Sequence, residues 1–205
     1  MFNLRKKYKQ LKDEELMPYI VKGNEQAFDE LYSRYSSKIH YYFFRMLGQD
    51  QDRADDFTQD IFIKVIEKGA YFDTSQRFST WLYAVAGNMC KNEYRRLERK
   101  PEQALPENFE IAMARDGLYL DSEIDQQLFT LHLQKALETL DFTHRQCFIL
   151  RYQQDLGLRE ISEILGCPEG TVKSRLYYTL RKLAAQLHFF HPNFSKKKRY
   201  ESQNG

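Results

Sequence analysis

The chain has 205 residues, 42% of them hydrophobic and 29% charged, with a formal net charge of only +2 at pH 7. This composition fits a folded protein with a sizeable core, and so mild a charge balance means that any nucleic-acid surface must be local. The chain does not open on an apolar signal core, and no apolar run approaches the roughly 20 residues that span a bilayer. We therefore expect a cytoplasmic protein with no membrane insertion. The cysteines, Cys90, Cys147 and Cys167, are widely spaced and argue against a disulfide framework or a metal site.

Few residues interrupt helices in this chain. It has nine glycines and five prolines, and alternating β-branched runs are scarce, so we predict an all-α fold. Helical periodicity begins near Asp13 and continues to Leu47, then restarts at Asp52 and again near Ser79. These segments predict a first helical domain over residues 10–100.

A linker, a second domain and a tail are predicted after this domain. Residues 101–123 contain two prolines and no sustained apolar period, which predicts a flexible acidic linker. Apolar periodicity resumes near Glu123 and predicts a second compact domain over residues 124–188. Residues 189–205 are predicted to form a basic tail. The expected architecture is two helical domains joined by a flexible acidic linker.

Charge alternates in blocks along the chain. Residues 50–75 hold seven acids against three bases, and residues 77–100 hold six bases against two acids. Residues 101–125 then hold seven acids and a single base. Blocks of opposite sign indicate distinct contact surfaces rather than one uniformly solvated shell.

The acidic block at residues 52–66 separates into two helical faces. Ala54, Phe57, Ile61 and Val65 form the predicted buried stripe, widened by Phe62 and Ile66, while Asp52, Asp56, Gln59, Asp60 and Ile63 share the other side. An outward isoleucine among carboxylates is typical of a protein-docking surface, where an apolar centre has a polar rim. An ordinary solvated acidic face is the alternative.

The basic block at residues 77–100 carries a stripe of amides and cations. On a helix, Asn88, Asn92, Arg95 and Arg99 recur at offsets of four, seven and eleven residues and share one face. Trp81 lies near the same azimuth, where its indole could stack on an unpaired base while the arginines hold the backbone. A tryptophan that merely completes the core is the alternative.

Residues 158–183 have the outline of a helix-turn-helix, with Gly166-Cys167-Pro168 as the turn. The predicted inward residues are Ile161, Ile164 and Leu165 of the first helix and Val172, Leu176, Thr179, Leu180 and Leu183 of the second. The opposite arc holds Lys173, Ser174, Tyr177 and Arg181, with Arg175 and Tyr178 at its edges. Pro168 suits the first helical position, and the N–H groups from Glu169 to Thr171 could hold a phosphate. A helical hairpin that only packs on a neighbour is the alternative.

Four motifs occur in an order that resembles one family. They are Ala27-Phe28-x-x-Leu31-Tyr32, Asp55-Asp56-x-Thr58-Gln59-Asp60-x-Phe62, Phe78-x-x-Trp81-Leu82-x-x-x-Ala86-x-Asn88 and Gly170-Thr171-Val172-Lys173-Ser174-Arg175. In this order and spacing they are specific, and the chain resembles a bacterial sigma factor of the extracytoplasmic-function group. The resemblance covers roughly residues 12–100 and 124–186.

The resemblance implies a non-enzymatic subunit that gives RNA polymerase its promoter specificity without a cofactor. Its partners would be core RNA polymerase, promoter DNA and an anti-sigma protein. Core polymerase would bind Asp56, Gln59, Asp60 and Ile63. The melted minus-ten element would bind Trp81, Asn88, Asn92, Arg95 and Arg96. The minus-thirty-five duplex would be read by Thr171, Lys173, Ser174, Arg175 and Tyr177. The acidic linker would mimic nucleic acid in the polymerase channels.

Two other functions are compatible with parts of the pattern. A helix-turn-helix regulator that acts without polymerase would use the second domain in the same way, but it has no use for an acidic docking helix. A magnesium-dependent nuclease could use Asp55, Asp56 and Asp60. Asp55, however, points about 100° away from Asp56 on a helix, and no further carboxylate or base completes a two-metal site.

Overall fold

The computed structural model of the protein describes residues 7–99 and 123–190, and every regular element in these two stretches is helical. The helices are α1 (Asp13–Val21), α2 (Glu25–Met46), α3 (Gln51–Lys68), α4 (Phe78–Arg99), α5 (Glu123–Glu138), α6 (Phe142–Phe148), α7 (Leu158–Leu165) and α8 (Glu169–Gln186). Short 3-10 turns cover Gly69–Tyr71 and His188–Phe190, and a π-helix covers Ile149–Gln153. The predicted all-α fold is confirmed. The predicted linker, up to its last residue, and the tail beyond Phe190 lie outside the described residues.

The chain divides into two compact helical units. The first comprises residues 1–104 and 149–172, and the second comprises residues 105–148 and 173–205. Two helical domains are therefore confirmed, while the bounds of 10–100 and 124–188 stay predictions. Within the described stretches, no helix is long and apolar enough to cross a membrane.

The core of the first unit is built from one face of each long helix. Its fully buried side chains include Leu31, Ile39 and Phe43 of α2, Ala54, Ile61 and Val65 of α3, and Phe78, Leu82 and Ala86 of α4. Side-chain caps fix where two of these helices begin, because Asn24 accepts a hydrogen bond from Ala27 N at 2.9 Å and Asp50 accepts one from Arg53 N at 3.0 Å.

The buried stripe of α3 is narrower than predicted. Ile66, predicted to widen it, is 53% exposed, so that prediction is wrong. On a helix Ile66 lies roughly 100° from Val65, beyond the reach of the neighbouring helices. Phe62 is buried as predicted because the ring of Tyr32 covers it, at 4.6 Å between centroids. Phe57, also predicted to be buried, is only half-buried.

The first turn of α4 is capped by a residue that is distant in sequence. Oε1 of Glu14, on α1, accepts a hydrogen bond from the backbone N–H of Phe78 at 2.8 Å. This N–H has no intrahelical acceptor, since it opens the helix. The Phe78 ring lies against Tyr35 at 5.2 Å and Phe72 at 5.8 Å between centroids. Backbone and side chain of Phe78 thus both fix the start of α4.

Residues 149–172 belong to the first unit through side-chain hydrogen bonds. The hydroxyl of Tyr83 donates to Gln154 Oε1 at 2.6 Å, and Arg77 NH1 donates to Glu160 Oε1 at 2.5 Å. Glu160 also accepts a hydrogen bond from Gly157 N at 2.9 Å, which caps the start of α7.

The second unit has a small apolar core and a buried arginine. Ala136, Leu137, Leu140, Phe148 and Leu183 form the core, with Leu133 and Leu187 packed against it. The guanidinium of Arg145 donates to the carbonyl oxygens of Glu138 and Leu140 at 2.7 and 3.2 Å. The Glu138 carbonyl is the last of α5 and the Leu140 carbonyl lies two residues beyond the helix, so neither accepts a hydrogen bond within α5.

The helix-turn-helix follows the predicted outline except at Pro168 and Leu180. Gly166 has φ +59°, the left-handed conformation that a glycine adopts without strain, and it ends α7. Pro168 precedes α8 rather than opening it, because its carbonyl oxygen accepts hydrogen bonds from Thr171 N and Val172 N. Leu180, predicted to face inward, is 42% exposed, since it lies about 70° from the centre of the buried stripe.

We expect Glu14→Ala to lower the free energy of unfolding by about 1 kcal/mol, as is typical for loss of a helix N-cap. Glu14→Gln keeps an oxygen acceptor and should stay close to the wild type. Urea unfolding followed by circular dichroism measures the difference. Glu67→Ala, which removes an exposed carboxylate of α3, is the control, and an equal loss in both alanine variants would rule out the cap.

We expect Thr179→Val to raise the stability of the protein by about 1 kcal/mol. The Thr179 hydroxyl is buried in α8 and has no hydrogen-bond partner among the described residues. Valine keeps the shape of the side chain and removes the unsatisfied oxygen. Thr58→Val is the matched control, since the buried Thr58 hydroxyl does donate to Ala54 O at 2.6 Å. Thermal unfolding should show a gain for Thr179→Val only.

Candidate nucleic-acid interface

The outward face of α3 is acidic with an apolar centre. Asp52, Asp56, Gln59, Asp60 and Ile63 are all exposed, as predicted. Ile63 is 51% exposed, and Ile66 adds a second exposed isoleucine one turn further along the helix. In the sequence, the one indication that Ile66 could extend this surface is its angular position on the helix, between Ile63 and Phe62. Two isoleucines rimmed by carboxylates form a surface suited to protein contact.

The remaining aspartate of this run is engaged on another side of the helix. Asp55 Oδ1 lies 3.0 Å from His40 Nε2, which also lies 3.1 Å from Gln51 Nε2. No group of three or more histidine, cysteine, aspartate or glutamate side chains within residues 7–99 and 123–190 could hold a metal ion. Asp55 therefore makes its contacts away from the outward face that Asp56 and Asp60 share.

The outward face of α4 carries the predicted amide-and-cation stripe. Asn88, Asn92, Arg95 and Arg99 are all exposed. Near the end of the helix an open groove of about 450 Å³ is lined by Asn92, Arg95, Arg96 and Arg99. The groove combines amide donors and acceptors with guanidinium groups, which are the groups that bind base edges and phosphates.

Trp81 occupies a position between the two predicted alternatives. Its ring centroid lies 5.5 Å from that of Phe72 and 5.7 Å from that of Phe78, so one side of the indole packs on the core. The residue as a whole is only half-buried. Trp81 therefore supports the start of α4 and still presents part of its ring at the surface.

Arg96 differs from the other cations of α4, because a carboxylate of the same helix holds it. Its Nε and NH2 donate to Oε2 and Oε1 of Glu93 at 2.8 and 2.7 Å. The hydrogen bond from Arg96 lowers the pKa of Glu93, against the effect of partial burial, and the charges of Arg96 and Arg53 add to the lowering. The same hydrogen bond raises the pKa of Arg96. Both groups stay ionised at neutral pH.

The outward face of α8 is polar and aromatic. Lys173, Ser174, Tyr177 and Arg181 are exposed as predicted, whereas Thr171 and Arg175 are half-buried at the margins. Tyr177 and Tyr178 lie 5.4 Å apart between ring centroids at an interplanar angle of 75°. The backbone N–H of Thr171 was predicted to be available to a phosphate. In the structure it already donates to Pro168 O at 2.9 Å, so this prediction is wrong for Thr171.

Two regions of the chain match models of one protein family. Residues 31–100 match Sigma-70 region 2, and residues 130–183 match Sigma-70 region 4. The first match contains the outward faces of α3 and α4, and the second contains the helix-turn-helix. Each family region therefore carries one or two of the surfaces described above.

Characterised proteins with similar sequences cover most of the chain. The chain is 34% identical over 180 residues to the ECF RNA polymerase sigma factor SigW of Bacillus subtilis (strain 168), which covers 82% of this chain and 92% of the relative. It is 31% identical over 179 residues to the ECF RNA polymerase sigma-E factor of Escherichia coli (strain K12), covering 82% of this chain and 90% of that protein.

Solved structures share the fold at lower identity. CnrH, determined in complex with the cytosolic domain of CnrY, superposes with a TM-score of 0.64 at 22% identity and covers 86% of this chain and 97% of its own. The sigma factor RpoE of Bartonella quintana, determined with the anti-sigma factor NepR, gives 0.61 at 22% identity and covers 78% and 96%.

The order of the regions, the length of the matches and the surfaces on α3, α4 and α8 agree with one another. Sequence identity above 30% over four fifths of the chain extends through both helical domains. The chain therefore belongs to the extracytoplasmic-function sigma factors, the RNA polymerase subunits that direct promoter-specific initiation of transcription.

Proposed function

We propose that three helices divide the work of initiation: α3 docks on core RNA polymerase, α4 holds the melted minus-ten strand, and α8 reads the minus-thirty-five duplex. The observation that carries the proposal is the separation of chemistry within the first unit. Acidic and apolar side chains are exposed on α3, while amides and cations are exposed on α4. A regulator that acts without polymerase has no use for the surface on α3.

The docking surface on α3 comprises Asp56, Gln59, Asp60, Ile63 and Ile66. The two isoleucines supply apolar area at the centre, and the carboxylates supply the charged rim. The negative charges of this rim steer association toward a basic partner surface and disfavour partners whose surfaces are acidic. Ile66 thus joins the residues predicted for polymerase binding.

The stripe on α4 suits an unpaired strand better than a duplex. Arg95 and Arg99 hold phosphates, while Asn88 and Asn92 face the base edges that melting exposes. The exposed part of Trp81 offers a stacking surface, and stacking on an aromatic ring stabilises an unpaired base by about 1–3 kcal/mol. Binding that is available only to the open strand shifts the equilibrium toward the melted promoter.

The exposed face of α8 suits the major groove. Recognition helices of this motif read base edges mainly from their N-terminal half, which here presents Lys173, Ser174 and Tyr177. Lysine binds guanine or phosphate, the serine hydroxyl donates or accepts a hydrogen bond, and a tyrosine ring can lie against a thymine methyl group. Thr171 and Arg175 complete the interface at its margins.

We also infer that an anti-sigma protein restrains this chain, that the chain acts in the cytoplasm, and that it catalyses no reaction itself. RpoE, which shares its fold, was determined with the anti-sigma factor NepR. Core RNA polymerase and promoter DNA, the partners of a sigma factor, lie in the bacterial cytoplasm. The docking and reading surfaces need neither a cofactor nor a catalytic group for the binding work proposed here.

We expect purified core RNA polymerase to transcribe specific fragments of the host genome only when this protein is added. The double variant Asp56→Lys and Asp60→Lys should abolish these transcripts, because it reverses the charge of the docking rim. Run-off transcription from a fragment library measures both results. The control Asp55→Lys makes one such charge reversal, half the total change, on another face of α3, and it should retain most activity.

A different result would change the assignment. If the protein stimulates no transcript where the primary sigma factor of the host works normally, the polymerase-independent regulator becomes the better description. Direct binding to operator DNA would then be expected. If transcripts appear but survive the double reversal, polymerase docks elsewhere on the chain.

We expect the double variant Ser174→Ala and Tyr177→Ala to lower transcription from such a promoter at least tenfold, since each base contact contributes about 1–3 kcal/mol. Its affinity for core polymerase should not change, because α3 is untouched. Ala185→Ser, an exposed substitution in the last turn of α8, is the control. Equal loss of core binding would mean that α8 contributes to docking instead.

A further inference from the structure

A groove at the start of α4 is formed in part by α7. It has a volume of about 940 Å³, and its lining includes Arg77, Thr80 and Trp81 at the start of α4 and Leu158 and Glu160 of α7. Both stretches belong to the first compact unit. Trp81, which is proposed to stack on an unpaired base, therefore lies in a groove that exists only while α7 stays in place.

Hydrogen bonds between polar side chains link residues 149–165 to α2 and to the start of α4. They join Tyr83 to Gln154 at 2.6 Å, Arg77 to Glu160 at 2.5 Å and Arg45 to Gln153 at 3.2 Å. A hydrogen bond of this kind is exchanged for one to water when the partners separate, so its net contribution is small. Contacts within a chain that are rich in polar groups permit relative motion. Such links open and re-form readily.

The ion pair between Arg77 and Glu160 resembles a contact with nucleic acid. Glu160 places a carboxylate on a guanidinium whose side chain is 68% exposed, in the groove that Trp81 also lines. Guanidinium groups bind carboxylates and phosphates in the same way, and proteins that hold single strands combine such cations with an aromatic ring for the base. Through Glu160, α7 therefore engages a cation that a strand stacked on Trp81 would engage through a phosphate.

We propose that α7 is a reversible cover over the start of α4: the Arg77–Glu160 pair holds it there, and an unpaired strand reaches Trp81 only after α7 has moved away. The inference rests on the proposed function of α4 and adds a control on it. A chain that is mostly covered binds the strand more weakly than an open chain, in proportion to the fraction of time that it spends open. The cover thus limits the capture of single-stranded DNA by the free protein.

Trp81 is the only tryptophan of the chain, so its fluorescence reports on the cover without a label. The test measures quenching of this fluorescence by acrylamide, an uncharged quencher, in the full-length protein. The variants are Arg77→Glu, Glu160→Arg and the double swap that combines them. Glu67→Arg, which makes the same charge change as Glu160→Arg on α3, is the control. Circular dichroism and thermal unfolding show whether each variant is folded.

The double swap separates the ion pair from other effects of the two substitutions. Glu160→Arg also removes the cap on Gly157 N, which Glu160 accepts at 2.9 Å, and Arg77→Glu places a carboxylate one turn from Trp81. Both side effects persist in the double swap, whereas the attraction between α7 and the start of α4 returns.

We expect each single variant to raise the quenching constant at least about twofold, because a reversal replaces the attraction of an ion pair by repulsion. The double swap should restore the constant to near the wild-type value, and the control should leave it unchanged. Added salt should raise the constant of the wild type toward that of the single variants, since a partly exposed ion pair is screened.

Strand binding connects the cover to function. The probe is a single-stranded oligonucleotide carrying the minus-ten element of a promoter found by run-off transcription, and fluorescence anisotropy measures its affinity for the free protein. Glu160→Arg should bind this probe at least about twofold more tightly than Glu67→Arg, because both variants carry the same added charge and only the first is open.

Two results would overturn the inference. One is a quenching constant that does not rise in the single variants or that the double swap fails to restore, since this ion pair then does not hold α7 over Trp81. The other is a measurable but equal affinity of Glu160→Arg and Glu67→Arg for the strand, because the cover then does not exclude DNA. Failure of the proposed function is distinct: no variant would retain the strand even in complex with core polymerase, whatever the quenching shows.

Discussion

The orientation of α4 depends on how its first residue is held. The Phe78 ring is fully buried against Tyr35 and Phe72, and its backbone N–H is capped by Glu14. A shift of one residue at this point would rotate every later side chain of the helix by about 100°. The amide-and-cation stripe would then turn into the core and the apolar face would turn out. Contacts at the first residue of α4 thus fix which way the amide-and-cation stripe faces, including the groove near the other end of the helix.

Two surfaces of opposite charge share one core in the first unit. Acids of α3 and cations of α4 lie on the outward faces of helices whose inward faces pack around Ile61, Leu82 and Ala86. Between them the ion pairs Asp50–Arg53, Arg53–Glu93 and Glu93–Arg96 connect the cap of α3 to the edge of the amide-and-cation stripe of α4. Close-packed cores transmit displacement rather than absorb it, so the docking proposed for α3 and the DNA binding proposed for α4 would act on one packed core.

The surfaces proposed for binding carry apolar groups that the fold leaves uncovered. Ile63 and Ile66 on α3 and Tyr177 and Tyr178 on α8 are all exposed in the chain by itself. Large apolar side chains rimmed by charge mark surfaces that are covered in an assembly. If α3 docks on polymerase as proposed, its surface must be stable both covered and uncovered, and the carboxylates beside the isoleucines favour hydration in the uncovered state.

Sequence periodicity by itself determined the helices, the exposed stripe on α4 and the recognition face of α8, because residues at offsets of three, four and seven share a face of any helix. It also predicted the two helices of the helix-turn-helix on either side of Gly166, because the turn between them depends only on the local backbone. Ile66, Leu180 and Trp81 lie at the edges of their stripes, where burial depends on whether a neighbouring helix reaches them. Only the tertiary structure could decide that Ile66 and Leu180 are exposed and Trp81 half-buried. The cap from Glu14 and the contact of Arg53 with Glu93 likewise join residues far apart in sequence, and such contacts exist only once packing has brought the helices together.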